Sequence, residues 1–321
     1  MDIRKGSRYR TLILTFFVFS FIVTLSYPTG INCRAMVPQK FENIMIDDEN
    51  NSDVSKARGN ELSGEEEAAK LEQWKQKLET DINNYFGQDI YKVGIVYYDI
   101  DRDQKLAVNE EKVFIAASTV KVQMNMIAYD WVREGKLSLD EKLIYDKSKH
   151  WEAGTGKLQS QDKSKPLPVQ QLLDYSIIYS DNIATRMIME RLGSNRNVRA
   201  IANRIAGTNN DTVKNVITAE EEFRLLKILY ENRNDPHYAH LIETMKKTQF
   251  NDRLSKYLPK EIVAHKTGDY AAYVHDVGII FTEKPYILVV YTNDLPGLAE
   301  SKPHEKIAGL SKLIYDAHIN K

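Results

Sequence analysis

The chain has 321 residues, 42% of them apolar, with 44 lysines and arginines set against 45 acidic residues. It can bury an ordinary core, and its mixed, near-neutral charge shows no basic stripe of the kind that grips a phosphate backbone, so nucleic acid is not expected as a partner. Cys33 is the only cysteine, which rules out an internal disulfide.

In chain order, Arg4, Lys5, Arg8 and Arg10 precede an apolar run from Thr11 to Tyr27. That order marks residues 1–33 as a signal peptide or an N-terminal membrane anchor, and places the body outside the cytoplasm, secreted or held at the outer face of the cytoplasmic membrane. The run is long for a cleaved leader and short for a span, so cleavage, retention and lipidation at Cys33 all stay open. Gly30-Ile31-Asn32 fits poorly the small-residue pattern of a lipid attachment site. Residues 34–62 are polar, acidic and nearly free of aromatics, the composition of a disordered linker.

The folded body is read as residues 63–321. A helix is expected from Ser63, with Glu66 completing a capping box and Leu71, Trp74, Leu78 and Ile82 on one face before Gly87. Two strands follow, YKVGIVYYDI and KLAVN, around the turn Asp101-Arg102-Asp103-Gln104. From Ser118 to Glu134 helical spacing recurs at Val122, Met126, Tyr129 and Val132, and further helices are read over 167–178, 183–192, 198–206 and 219–230. Strands return in IVAHKTG, YVHDVGIIF and YILVVYTN, with Gly268 and Pro285 in the turns between them, and a last helix spans 304–318. The fold class is therefore α+β: an antiparallel sheet built from both ends of the domain, covered by helices, with an inserted all-helical lobe. A cleft between the two parts is the natural site.

Ser118 and Lys121 stand three residues apart where a helix begins, so their side chains share a face. A serine hydroxyl needs an adjacent base to become nucleophilic, and a desolvated lysine near another cation can be neutral enough to serve. A capping serine with a solvated lysine fits the pair equally well, and Ser160 and Lys163 repeat the spacing in a polar loop. Ser180-Asp181-Asn182 falls in the break between two apolar helices, where a helix cap is the plain alternative. Lys266-Thr267-Gly268 ends a strand, with glycine where a backbone passes close to something.

Taken in order, S-x-x-K, S-D-N and K-T-G resemble the signature of penicillin-recognising serine acyl-enzymes, most closely the class A β-lactamases, over about Ser63 to the C-terminus. GTGKLQ at 154–159, QFNDRLSKYLP at 249–259 and VHDVGIIF also look like that family's versions. The resemblance implies that Ser118 attacks the amide carbonyl and Lys121 accepts its proton. Ser180 would relay a proton to the leaving nitrogen, Asn182 would hold Lys121 and the substrate amide, and Lys266 would supply positive charge. Thr267 would help bind the substrate carboxylate beside Gly268, and the backbone N–H groups of Ser118 and Asp269 would hold the oxyanion, each worth on the order of 3 kcal/mol. The implied substrate is a β-lactam or a peptidoglycan peptide, with no metal or other cofactor, and the protein is expected to be a monomer.

One departure stands out. The family's deacylating glutamate, in a string resembling E-x-x-L-N, has no counterpart: the interval holds only GTNNDTVKNVI, with Asp211 as its one carboxylate. Glu220, Glu221 and Glu222 fit instead the opening of a helix capped by Thr218. Acylation is supported and fast release is not, which leaves a slow β-lactamase, a D-Ala-D-Ala peptidase and an anchored acyl-binding sensor as the readings. His265 and His275 are expected to be structural or to line the cleft, and no cysteine–histidine spacing suggests zinc. Trp151 is read as either a cleft wall or a packed loop aromatic.

Overall fold

Two groups of strands from opposite ends of the chain meet in one sheet. The computed structural model describes residues 51–295 and 302–321, and Arg58–Lys321 form one compact unit. The leader or anchor expected over 1–33, Cys33 included, and the linker as far as residue 50 lie outside the described residues. Among the described residues, no helix is long and apolar enough to cross a membrane.

Helix α1 (Asn51–Phe86) already runs through Ser63, so the helix begins before the expected start and the last part of the expected linker is helical. Glu66 pairs with Lys70 one turn on, at 2.7 Å. Lys, Ala, Arg, Glu and Leu between 51 and 62 are good helix formers with no proline among them, so no local signal stops the helix at Ser63. β1 (Val93–Asp99) and β2 (Gln104–Val108) form the expected hairpin, with Asp99 opposite Gln104. β3 (Val113–Ile115) leads to α2 (Val120–Arg133), then β4 (Lys142–Leu143), α3 (Lys147–His150), β5 (Leu167–Pro168), α4 (Val169–Ile178), α5 (Asn182–Arg191) and α6 (Asn195–Ala206). β6 (Val216–Thr218), α7 (Ala219–Glu231) and α8 (Pro236–Lys246) precede β7 (Val263–Tyr270), β8 (Tyr273–Ile280), β9 (Tyr286–Thr292) and α9 (Lys302–Ile319).

The five-stranded sheet has the order β2-β1-β9-β8-β7 and is antiparallel throughout. Alternate side chains divide between two cores. Ile95, Tyr97, Leu288 and Val290 pack with Leu78 and Ile82 of α1 and Leu310 and Ile314 of α9. Val96, Val289 and Tyr291 face the helical lobe, with Met124, Leu172, Ile188 and Leu226. Both faces are covered, so every residue of β1 and β9 is buried.

The inserted lobe is helical apart from two short ladders, β3 with β6 and β4 with β5. Its centre is α2, buried on all sides from Val120 to Tyr129 rather than along a single stripe. The polar residues on that helix therefore need partners. Asn125 donates to Lys121 O and Ser176 Oγ, and Gln123 to Glu222. Helix α8 was not expected from the sequence. Its signals are local and weak: Asp235 capping His237 and Tyr238, Pro236 in the first turn, and Tyr238, Leu241, Ile242 and Met245 buried.

The turn between β7 and β8 lies at Ala271-Ala272, not at Gly268, which sits inside β7. Gly268 is explained by contact. A β-carbon there would stand 3.0 Å from Ala116 O and 3.1 Å from Thr119 Cγ2, so any larger residue would press the edge strand a few tenths of an ångström away from the turn that carries Ser118.

Candidate active site

Residues Ala117–Thr119 make one 3-10 turn that feeds α2. Ala117 has φ +50°, a conformation its β-carbon disfavours, and such strain persists only where the surroundings enforce it. Enforcement comes from Asn215, whose O accepts from Ala116 N at 2.8 Å and whose Nδ2 donates to Ala117 O at 3.0 Å. The Thr119 hydroxyl bonds Ala116 O at 2.9 Å and the Tyr291 hydroxyl at 2.7 Å. Ser118 is thus presented at the head of a helix, on the cleft wall.

Ser180 is the second strained residue, at φ +49°. Asp181 caps α5 through Ala184 N at 2.9 Å, while its other oxygen takes Leu158 N at 2.7 Å. Thr155 donates to Ser180 O at 2.8 Å, and Asn182 donates to Ala153 O at 3.0 Å. These bonds explain GTGKLQ. Gly156, at φ +134°, packs so tightly on Asp181 that any side chain would collide with the carboxyl.

Two buried amines converge on Ser180. Lys121 Nζ lies 2.7 Å from Ser180 O, 2.8 Å from Asn182 Oδ1 and 3.1 Å from Ser180 Oγ. Lys266 Nζ reaches the same Oγ from the other side at 3.0 Å, and Thr267 O at 2.8 Å. Burial, then the charge of Lys266, pushes the Lys121 amine well below the usual lysine range, against the pull of Asp181 and Glu152. Burial and Arg253 bring Lys266 down to about 7 despite Asp276. A carbonyl and an amide oxygen can only accept, so a neutral Lys121 gives its two N–H bonds to them. Its lone pair is left for a hydroxyl. None of its bonds in this structure runs to Ser118, one helical turn away; such contacts often tighten only when substrate arrives.

Behind β7, Arg253 is almost fully buried and donates to His275 O at 2.7 Å and to both oxygens of Asp269 at 2.7 Å. Burial raises the Asp269 pKa, but the hydrogen bond from His304 and the Arg253 charge outweigh it and hold it at about 2. His304 is raised to about 9, chiefly by its bond to Asp252 and then by Asp269. The two strand histidines are structural. His265 Nδ1 bonds Asp276 at 2.9 Å. His275, lowered to about 4 by burial, donates to Ile115 O and accepts from Thr292 N.

Ser118, Lys121, Ser180, Asn182, Thr267 and Asp269 all line one cleft of about 710 Å³. Lys266 acts from behind Ser180, and Gly268 packs beneath the turn instead of lining the cleft. The competing pair does not join them: Ser160 is exposed, and Lys163 bonds Leu158 O and Gln161 O in its own loop. Trp151 is exposed and outside the cleft lining, where Phe250 and Tyr270 supply the aromatic surface. Sequence reasoning missed those two, together with Asn215, the Glu152–Arg186 ion pair and the Arg253–Asp269–His304 cluster. Among the described residues no group of three or more His, Cys, Asp or Glu side chains is arranged to hold a metal ion.

Asp211, the only carboxylate of the short α6–β6 loop, accepts from Val213 N and Lys214 N and does not line the cleft. Glu220 pairs with Lys105 and Arg224, and Glu221 N is capped by Thr218 as expected. Glu222 is different. It is fully buried beneath the turn that carries Ser118, one oxygen bonded to Tyr291 and Gln123 and the other without a partner among the described residues. Burial raises it to about 8, with Tyr291 opposing. The stability this group contributes is fully present below the unfolded pKa near 4.5 and is lost as pH rises toward 8, at about 1.4 kcal/mol per pH unit. Glu222→Gln is therefore expected to flatten the stability–pH curve across that window. Denaturant midpoints of both proteins measure it, and parallel curves would rule it out.

A serine between a buried lysine, a serine–asparagine wall and a lysine-bearing edge strand defines a serine β-lactamase-like hydrolase of the class A type. The sequence model of the beta-lactamase enzyme family matches residues 77–318, and the chain belongs to that family. It is 26% identical over 263 residues to the extended-spectrum beta-lactamase PER-1 of Pseudomonas aeruginosa, covering 71% of this chain and 83% of that protein. Beta-lactamase VEB-1 of Pseudomonas aeruginosa is 23% identical, over 72% and 86%. Among solved structures, TLA-1 extended-spectrum beta-lactamase superposes with a TM-score of 0.69 at 25% identity, covering 76% of this chain and 99% of that one. PBP-A gives 0.68 at 23%, covering 76% and 97%.

Proposed function

We propose that this chain opens the amide of β-lactams through an acyl-enzyme on Ser118 and releases the product slowly. The observation that carries this reading is Ser180 Oγ standing 3.1 Å from one buried amine and 3.0 Å from another. Lys121 takes the Ser118 proton as the Oγ–carbonyl bond forms, and the backbone N–H groups of Ser118 and Asp269 take up the oxyanion charge. The proton then passes through Ser180 to the lactam nitrogen as the C–N bond breaks. Lys266 favours each anionic stage by its charge.

Slow release follows from what the cleft offers to water. Its two lining carboxylates are both committed, Glu152 to Arg186 and Asp269 to Arg253. The same feature favours a second reading, a peptidoglycan D-Ala-D-Ala peptidase, in which a β-lactam acts as a trap. PBP-A, a fold neighbour, has been captured in variant form as an acyl-enzyme with penicillin G. An anchored acyl-binding sensor shares the chemistry. We also propose an extracytoplasmic site of action, supported by the basic residues and apolar run of the first 27 residues.

Intact mass recorded over time with a penicillin tests the main reading. A transient adduct with continuing hydrolysis supports it, and a persistent one-to-one adduct moves the weight to the trap or sensor. Release of D-alanine from a pentapeptide selects the peptidase. No adduct and no turnover, with Ser118 intact, ends all three.

A further inference from the structure

The cleft continues along α5 well past the serine. Thr185, Arg186 and Met189 line it beyond Asn182, on the order of 10 Å of helix at 1.5 Å per residue. Asn195 and Arg199 of α6 and Lys214 from the short loop before β6 line the same cleft. An adjoining hollow shares Arg186, Asn195 and Arg199 and adds Arg196 and Lys149.

The cations here are unevenly matched. Arg186 is paired with Glu152, and Lys149 with Glu190. Arg199 spends Nε and one terminal nitrogen on the backbone carbonyls of Thr212 and Val213, at 2.8 and 2.9 Å. Arg196, Arg199 and Lys214 make no ion pair among the described residues. Asp211 is the carboxylate near Arg199 and Lys214, and its Oδ1 is occupied by Val213 N and Lys214 N. Arg199 and Lys214 against Asp211 leave this arm of the cleft net positive, with Arg196 in the adjoining hollow; the arm lies beyond Asn182, to which the family resemblance assigns the amide on the acyl side of a substrate.

We infer that the preferred acyl donor carries a carboxylate on its acyl side, as an acidic peptide does, and that Arg199 and Lys214 receive it. This rests on the acyl-enzyme reading above and adds the substrate class. Arg199 fixes the direction of approach through its anchored guanidinium, whereas Lys214 supplies an exposed charge.

The test compares acylation rates of adipoyl penicillin and hexanoyl penicillin, side chains of equal length differing in a terminal carboxylate. The wild type is expected to favour the adipoyl compound by about fivefold at low ionic strength, the size of one or two partly exposed charge pairs, and to lose the preference in high salt. Lys214→Glu should reverse the ratio, and Arg199→Gln should bring it to unity. Equal rates in the wild type, or a ratio untouched by Lys214→Glu, would overturn the inference while leaving the acyl-enzyme reading in place. Failure of both compounds to acylate would overturn that reading and the inference with it.

Discussion

Incubated with benzylpenicillin, Ser118→Ala is expected to keep its unmodified mass at every time point, while the wild type gains the mass of one penicillin. Hydrolysis should fall by on the order of 10⁴-fold or more, because removing the attacking atom disables the unit that the other groups serve. The substitution removes one oxygen from a partly exposed position at a helix head. The melting temperature should therefore stay close to the wild-type value, which separates lost chemistry from lost fold. An adduct that persists in the variant, mapped to Ser180 or to a lysine, would remove Ser118 from the mechanism.

The second large effect concerns Lys121. Lys121→Met is expected to slow acylation by about 10²- to 10⁴-fold, the usual range for a general base, while leaving the serine in place and the adduct still obtainable at long times. The wild-type pH profile should carry the same signature. Acylation rises with pH as the depressed Lys121 amine loses its proton, and declines above about pH 7 as Lys266 loses its charge. The two amines share Ser180 Oγ, so the limbs belong to the coupled pair and not to single residues. Lys266→Gln should remove the alkaline limb. A flat profile through neutral pH would argue against a lysine base.

The short motifs were more legible in the sequence than the surroundings that bring them together. Ser118-x-x-Lys121, Ser180-Asp181-Asn182 and Lys266-Thr267-Gly268 stand out as ordered strings, and the structure gathers them at one cleft. The sheet strands announced themselves as apolar runs because helices cover both of their faces. What escaped depends on residues far apart in sequence. Gly268 reads as a turn residue until Ala116 and Thr119 are seen against it. Arg253, Asp269 and His304 belong to three separate segments, and no spacing links them. Glu222 looks like one more acidic residue at a helix start, and only the packed structure shows it enclosed under Tyr291. Helix α8 hid for a simpler reason: it is short, and the polar segment before it reads as a loop.

The pairing of β1 with β9 has a kinetic consequence. Val93 meets Thr292 in the middle of the sheet, so the sheet cannot close until almost the whole polypeptide is available. The lobe between them is built from contacts nearer in sequence and can collapse first, while the strands wait for a long loop to be drawn shut. A chain of this topology cannot complete its sheet until β9 has been made, and β7, which carries Lys266, is tied to that sheet through β8.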